Sequence, residues 1–393
     1  VQLQSLSGKV DRRVDAVVLG AGCAGLSLAW RLHHDPALAG ARIALVDPHL
    51  DQPLARTWCW WGDTVEPHLR AMTAASWQGL TVQPHRGATL HHTLRHGAYH
   101  CIRGEDYARW HRERLVGPGI SLHRQTALAL DPDAGRVRLD SGEVLAATWI
   151  FSSLPATEGA APASPKAAAP VQQFVGLEIE TDTPCFDPGA VTLMDFQLPQ
   201  QDGVCFLYVL PFSDRRALLE YTTFRTTPVD QETLEQGLRR AMARPGPLAT
   251  TRWRVLRREH GCLPMHPPAP HPVRGALIPI GLAAGLMKPS TGYAFDRIQR
   301  HGRSLTRDLA EGRWPGASHP APGPRHPWYD TLFGRVLTRA PERMHRIFEH
   351  LFRHVAADEV LRFLAEKTTP IEEAGLFARL PWLPFAAAAL RGA

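Results

Sequence analysis

The segment Asp15-Ala16-Val17-Val18-Leu19 runs directly into Gly20-Ala21-Gly22-Cys23-Ala24-Gly25, and it narrows the possible folds further than any other stretch. An apolar run that stops at a glycine reads as a buried parallel strand. Ala24 to His33 follows with helical spacing, Asp35-Pro36 breaks it, and Gly40 precedes a second strand, Arg42 to Val46. This order predicts a β-α-β unit. Its glycines stand as GxGxxG. Gly20 permits the tight turn, Gly22 lets the backbone approach a pyrophosphate, and Gly25 allows the helix to lie close to the strand. The helix N-terminus then turns unpaired N–H groups toward phosphate. Asp47 closes the second strand, where a carboxylate accepts hydrogen bonds from ribose hydroxyls and disfavours a 2′-phosphate. The bland alternative is a Gly-rich turn in a Rossmann-like unit that binds nothing.

A second Gly-rich segment separates FAD from NAD. Ala276 to Gly281 reads as another buried strand, and a loop then reaches Lys288-Pro289-Ser290-Thr291-Gly292-Tyr293. Two-domain FAD enzymes commonly return to their first sheet late in the chain, where strand, loop and helix meet the flavin. Gly281 ends the strand and Pro289 fixes the loop. Thr291 and Gly292 would open a helix from about Tyr293 to Gly312, its N–H groups facing the pyrimidine edge of the flavin. The structural alternative makes Thr291 an N-cap and nothing more.

Between these segments the chain is strand-rich. Arg56-Thr57-Trp58-Cys59-Trp60-Trp61 is an aromatic cluster, Asp106 to Leu115 a candidate helix, and Val137 to Val144 a hairpin with a Ser-Gly turn. Thr148 to Ser152 reads as a buried strand, and the Ala- and Pro-rich residues 154–170 as a linker or exposed crossover. Strands are expected at Val171–Glu180, Ala190–Phe196, Val204–Leu210 and Ala217–Phe224, a helix at Gln231–Met242, a Pro-rich loop over 313–327, and helical pattern throughout 329–390. A chain of 393 residues exceeds the size of one core, so more than one domain is expected. The fold expected is α/β. A discontinuous Rossmann-like domain would comprise 14–75, 145–155 and 270–312, a β-rich substrate domain 76–144 and 171–269, and a helical region 313–393.

Composition removes several functions. The formal net charge of +6 is a mild bias, and without a Lys/Arg run or an aromatic RNA-binding motif no nucleic-acid partner is expected. The Cys residues form no CxxC pair or Cys/His cluster, so neither a metal nor a disulfide framework is expected, and a reducing compartment fits. Residues 1–13 lack the apolar core of a signal peptide. The longest apolar run, Leu380 to Leu390, is broken by Pro381 and Pro384 and falls short of the roughly 18–20 residues that cross a bilayer. The expected location is cytoplasmic, peripherally associated with the inner face of the cell membrane.

Taken together, these motifs resemble the bacterial lycopene cyclases, within the wider superfamily of FAD-dependent hydroxylases. The resemblance rests on Asp15–Gly25, Arg56–Trp61, Leu193-Met194-Asp195-Phe196, Phe206–Phe212, Leu218-Leu219-Glu220-Tyr221-Thr222, Gly281–Gln299 and Trp328–Leu332. There are two departures. Many members of the family carry two adjacent Glu where this chain has Glu220-Tyr221, which leaves one acid where a pair would share a role. Hydroxylase relatives carry Asp after the glycine of the late strand, where Leu282 stands here, and this speaks against hydroxylation.

The resemblance implies cyclisation of the linear ends of lycopene to β-rings through a carbocation, with reduced FAD and no net redox change, NAD(P)H being the reductant. Such chemistry needs an acid, a base and stabilisation of positive charge in an apolar pocket. Glu220 interrupts an apolar run within a strand, where burial would keep it protonated, and is the first candidate acid; a solvent-facing edge position is its alternative. Asp195 is the second candidate, against a structural hydrogen bond. Trp58, Trp60 and Trp61 would line the polyene channel or pack as an inter-domain core. Arg56 would contact the flavin or its phosphates, or form a surface ion pair, and Tyr293 would lie near the flavin. Trp382, Leu383 and Phe385, flanked by Arg379 and Arg391, would dip into a membrane surface or pack internally. The rival readings are an FAD monooxygenase or halogenase, a polyprenyl reductase, and a flavin- or carotenoid-binding protein without turnover.

Overall fold

Apolar strands and amphipathic helices alternate along the chain, and three sheets result in the computed structural model. It describes residues 1–63, 65–154, 170–200, 203–265, 270–317, 325–381 and 385. The linker expected at 154–170, part of the Pro-rich loop, and Trp382, Leu383 and Arg391 fall mostly or wholly outside these.

The first sheet has the order Gln2–Leu3, Ala127–Asp131, Arg136–Leu139, Val144–Ser152, Arg12–Leu19, Ile43–Val46, Ile120–His123, and the late strand Leu277–Pro279 pairs parallel with Val144–Ser152. Its centre is parallel: Arg12–Leu19 lies between Val144–Ser152 and Ile43–Val46. These central strands are buried on both faces, which explains their continuous Val, Leu, Ile and Ala content. The helices Cys23–His34, Gly104–Arg114 and Phe295–Ala310 pack together beside this sheet. Three strands from the stretch read as part of the substrate domain (Ile120–His123, Ala127–Asp131 and Arg136–Leu139) hydrogen-bond into this first sheet instead. Ile120–His123 does so by extending the parallel order beyond Ile43–Val46.

The second sheet runs Trp253–Pro264, Val171–Thr181, Arg216–Arg225, Val204–Pro211, Ala190–Asp195, Gly79–Gln83, Leu90–Thr93. Helix Gln231–Met242, capped by Asp230 accepting the Thr233 N–H, covers one face. The helices Arg325–Arg339, Met344–His354, Ala357–Leu364 and Pro370–Ala378 cover the other. The continuous helical pattern expected over 329–390 is thus a series of separate helices, with Pro341 in the break after the first and Pro370 at the first turn of the last. A small third sheet, Thr57–Gly62, Ala98–Arg103, Ala75–Trp77, contains the aromatic cluster.

One local expectation changes, and one strand was not expected. The late helix begins at Phe295 behind Ala294, because the preceding residues close a turn of their own: Lys288 O accepts from both Thr291 N and Gly292 N, at 3.2 and 2.8 Å. The strand Trp253–Pro264 carries no apolar alternation. It is an edge strand held by ion pairs, Arg257 to Glu178 at 3.2 Å and Arg254 to Glu180. Among the described residues no helix is long and apolar enough to cross a membrane.

The glycine motif divides sterically. A Cβ on Gly25 would lie 1.8 Å from Gly20 O, whereas one on Gly22 would meet nothing within 4 Å. Gly25→Ala is therefore expected to cost about 1–3 kcal/mol as overpacking, and Gly22→Ala, at the helix cap, under about 1 kcal/mol, both read by urea unfolding.

Candidate active site

Side chains alternate along a strand, and this decides what Arg216–Arg225 presents to each face. Leu218, Glu220, Thr222 and Phe224 turn toward the C-terminal helices, while Leu219 and Tyr221 turn toward Gln231–Met242. Between the sheet and the C-terminal helices lies a cavity of about 310 Å³. Its wall is mostly aromatic and aliphatic, with Phe206, Phe224, Phe348, Leu351, Phe363 and Phe377 among the lining residues. Glu220 is a carboxyl group set in that wall. Its exposed atoms face the cavity, so it counts as half-buried while lying away from bulk water.

Burial pushes the Glu220 carboxyl up to about 8, and the negative charge of Glu259 adds to the rise. The Thr222 hydroxyl, donating to Glu220 Oε1 at 2.7 Å, and the Arg257 charge work in the opposite direction. Glu220 is thus an acid that still holds its proton at neutral pH. Beside it the cavity carries two phenols, Tyr208 and Tyr293. Both hydrogen-bond the hydroxyl of fully buried Tyr99, at 2.8 and 2.6 Å, and Tyr208 donates to Cys59 Sγ at 3.2 Å. Burial raises all three phenols, so they remain neutral.

The glycine loop lies on the first sheet. Gly20 has φ +93° and closely approaches Ser153. Asp47 Oδ2 accepts the Ala21 N–H at 2.6 Å and Oδ1 the His49 N–H at 2.6 Å, which braces the loop. The helix Cys23–His34 has Gly22 as its N-cap and no side-chain cap. Its end is therefore an open cradle of the kind that phosphate fills. The late segment meets it: a Cβ on Gly281 would lie 3.0 Å from Ala24 Cβ, and Ser27 Oγ donates to Gln299 Oε1 at 2.9 Å. Pro289 and Ser290 form the turn closed by Lys288 O, with Gly292 at φ +73°. Gln172 Oε1 has no hydrogen-bond partner and lies 2.7 Å from the Cβ position of Gly292. Buried Lys288 reaches Asp330 at 2.8 Å and Glu366 at 3.3 Å, and Arg297 also pairs with Glu366, so this loop is tied to the C-terminal helices.

The residues singled out in the sequence fall into distinct places. Glu220, Thr291, Tyr293 and Trp61 line the cavity together. Trp58 and Trp60 do not. They point to the opposite face of their strand and pack on Phe295, with ring centroids 6.1 and 4.9 Å away. Arg56 donates to the His260 carbonyl. Asp195 is likewise held away from the cavity: its two oxygens engage Arg244, and Oδ1 also accepts the Gln197 N–H at 2.9 Å. The Thr291-Gly292 pair, expected to open the late helix, lies in the turn before it. Phe385 lines the cavity, which favours internal packing at that position. The residue pattern did not single out Glu259, which sits in the charged edge strand, or Gly176 beside it. The pairing of Arg254 and Arg257 with the alternating Glu178 and Glu180 was the available signal.

Comparison with known proteins identifies the family and the fold. Residues 15–390 match the family described as lycopene cyclase protein. A lycopene beta-cyclase of Paracoccus sp. is 29% identical over 71% of this chain and 70% of its own length. The lycopene beta-cyclase of Pantoea ananas is 27% identical over 95% of this chain and 96% of its own. Among solved structures, a geranylgeranyl bacteriochlorophyll reductase-like protein of Thermoplasma acidophilum superposes with a TM-score of 0.58 at 14% identity, over 96% of this chain and 99% of its own. The flavin-dependent monooxygenase PieE, solved with FAD and substrate, gives 0.58 at 14% identity, over 97% of this chain and 72% of its own. At these identities the structural neighbours define the fold, an α/β architecture of the flavin-dependent hydroxylase type. The family match spans nearly the whole sequence, and the chain belongs to the lycopene cyclase family.

Proposed function

We propose that this chain is a lycopene β-cyclase that binds FAD and closes the linear ends of lycopene into β-rings without net redox change, NAD(P)H serving as reductant. The observation that carries the reading is Glu220, a carboxyl held protonated near neutral pH in the wall of a mostly apolar cavity. In this reading the first sheet, with the Gly20–Gly25 loop and the Gly281–Tyr293 segment, forms the cofactor domain, and the second sheet with the C-terminal helices forms the substrate domain.

The residues present fit FAD. Gly22 leaves open space before an uncapped helix end, which suits a pyrophosphate. Asp47 retains acceptor capacity for ribose hydroxyls beyond the two backbone N–H groups it already receives. The unpartnered Gln172 Oε1 beside Gly292 would accept an N–H from the cofactor. When bound in its reduced form, FAD would supply fixed negative charge in a low-dielectric site, where it favours a developing cation. Glu220 gives its proton to a terminal double bond of the substrate. The nearby internal double bond attacks the tertiary cation, and the ring closes. Release of one proton then completes the β-ring, so one proton enters and one leaves. The apolar wall excludes water that would otherwise trap the cation as an alcohol. Trp61 and the neutral phenols of Tyr208 and Tyr293 offer ring faces to the cation. Trp328 both lines the cavity and is 56% exposed, so it stands at an opening through which a membrane-dissolved polyene would enter.

The decisive experiment expresses the chain in cells that accumulate lycopene and identifies the pigment by chromatography. β-Ring products are expected, and unchanged lycopene with flavin bound and reductant present would remove the reading. A monooxygenase or reductase would instead consume NAD(P)H in step with product. Glu220→Gln is expected to reduce turnover at least ~100-fold while far-UV circular dichroism stays unchanged. A proton donor is needed, so wild-type turnover should fall as pH rises through about 8, where Glu220 loses its proton. Gly22→Leu, which fills the open cradle, is expected to leave the chain folded but colourless after incubation with FAD.

A further inference from the structure

The family resemblance leaves one acid, Glu220, where two adjacent ones are common, but neighbours on a strand cannot share a proton. Residue 221 faces the opposite side of the sheet: a Cβ on Gly237 of the covering helix would lie 2.5 Å from the Tyr221 ring. A second carboxylate on the Glu220 face has to come from another strand. The register provides one. Gly176 is paired with Glu220 on one side and with Glu259 on the other, so the three residues form one row across Arg216–Arg225, Val171–Thr181 and Trp253–Pro264. The middle position has no side chain. The Glu259 side chain lies over it instead, and a Cβ on Gly176 would sit 3.0 Å from Glu259 Cγ and 3.5 Å from Glu259 Oε1. Across this gap the two carboxyl groups come within hydrogen-bonding reach.

We infer that Glu259 is the positioning partner of Glu220, the two carboxyl groups sharing one proton across Gly176 so that the proton stays aimed into the cavity. The inference rests on the cyclase reading for its chemical meaning, and on the register for its geometry. Glu259 is 3% exposed and held in place, Oε2 accepting from Arg257 and from Thr57 Oγ1, each at 2.7 Å. Two carboxylates this close cannot both ionise easily, so the pair retains a proton. The groups facing Glu220 are Glu259 and Arg257 from the edge strand, Thr222 from its own strand, Tyr208 from the next strand and Tyr293 from the loop before the late helix. Of these, Glu259 and burial favour the protonated form. During turnover the Glu220 O–H bond breaks as a C–H bond forms on the substrate. The proton later released from carbon returns to the pair, and no oxidant or reductant enters the balance.

The test is an infrared titration of the purified full chain without substrate, following the C=O stretch of a protonated carboxyl. In wild type the band should disappear with a midpoint near 8, and Glu220→Gln should lack it. Glu259→Gln removes the neighbouring negative charge, so the midpoint should fall by about one pH unit or more. Glu259→Asp keeps the charge and should titrate above Glu259→Gln. Gly176→Ala, whose methyl would press on the Glu259 side chain, should shift the midpoint as well and covers the case in which Glu259→Gln does not fold. An unchanged midpoint in the folded Glu259 and Gly176 variants would overturn the inference, as would a band that survives in Glu220→Gln. The same variants separate the two claims. A titrating wild type that leaves lycopene untouched refutes the cyclase reading and leaves the pair standing. Cyclisation whose alkaline limit does not move in Glu259→Gln refutes the pair alone.

Discussion

One guanidinium holds the parts of this site together. Arg257 reaches Glu178 on the adjacent strand, Glu259 on its own strand and Thr57 on the small third sheet. Glu178 is 1% exposed and also receives Arg103 and Arg216. Burial works to raise the Glu178 carboxyl, yet these cations hold it below the usual carboxylate range. A buried charge cluster of this kind contributes little net stability, but losing one member is costly, on the order of 3–5 kcal/mol, because the others are left unpaired. Its value is positional. It fixes an edge strand of weak apolar character onto the second sheet and thereby fixes Glu259.

The site then sorts charge by depth. Ion pairs gather where the third sheet meets the second, and the cavity wall carries little charge: phenols, aromatic rings, the protonated Glu220 carboxyl and Asp330, which is paired with Lys288. An acid in such a wall faces little water to take its proton, and in the proposed cyclase reading a cation formed there would meet aromatic side chains rather than solvent. The apolar lining thus keeps the Glu220 carboxyl protonated, and in the proposed reading the same lining would shield the cation.

Much of this was legible in the sequence, for reasons specific to each element. The strand Arg12–Leu19 and helix Cys23–His34 announce themselves because glycine spacing and buried apolar runs are local signals. Helix Gln231–Met242 is legible through its Asp cap and its period. Glu220 stands out because a charge in an apolar strand is conspicuous. Trp253–Pro264 was hidden because its alternation is written in charges that only partner strands can neutralise. The three tryptophans could not be told apart without the strand that sends Trp58 and Trp60 one way and Trp61 the other. Gly176 carries no local signal at all, since its meaning lies in what stands on either side of it in the sheet.

The tether from the late loop to the C-terminal helices also bears on how substrate arrives. Lys288 and Arg297 converge on Glu366, which sits in the left-handed region at φ 61°, a conformation a non-glycine residue rarely adopts. Swinging the helices outward would strip these buried charges of one another. The roof over the cavity therefore behaves as a fixed vault and not as a hinged door. If the proposed polyene is the substrate, such a vault would require it to be threaded in tip first past Trp328, and its other tip to be treated only after release and rebinding from the opposite end.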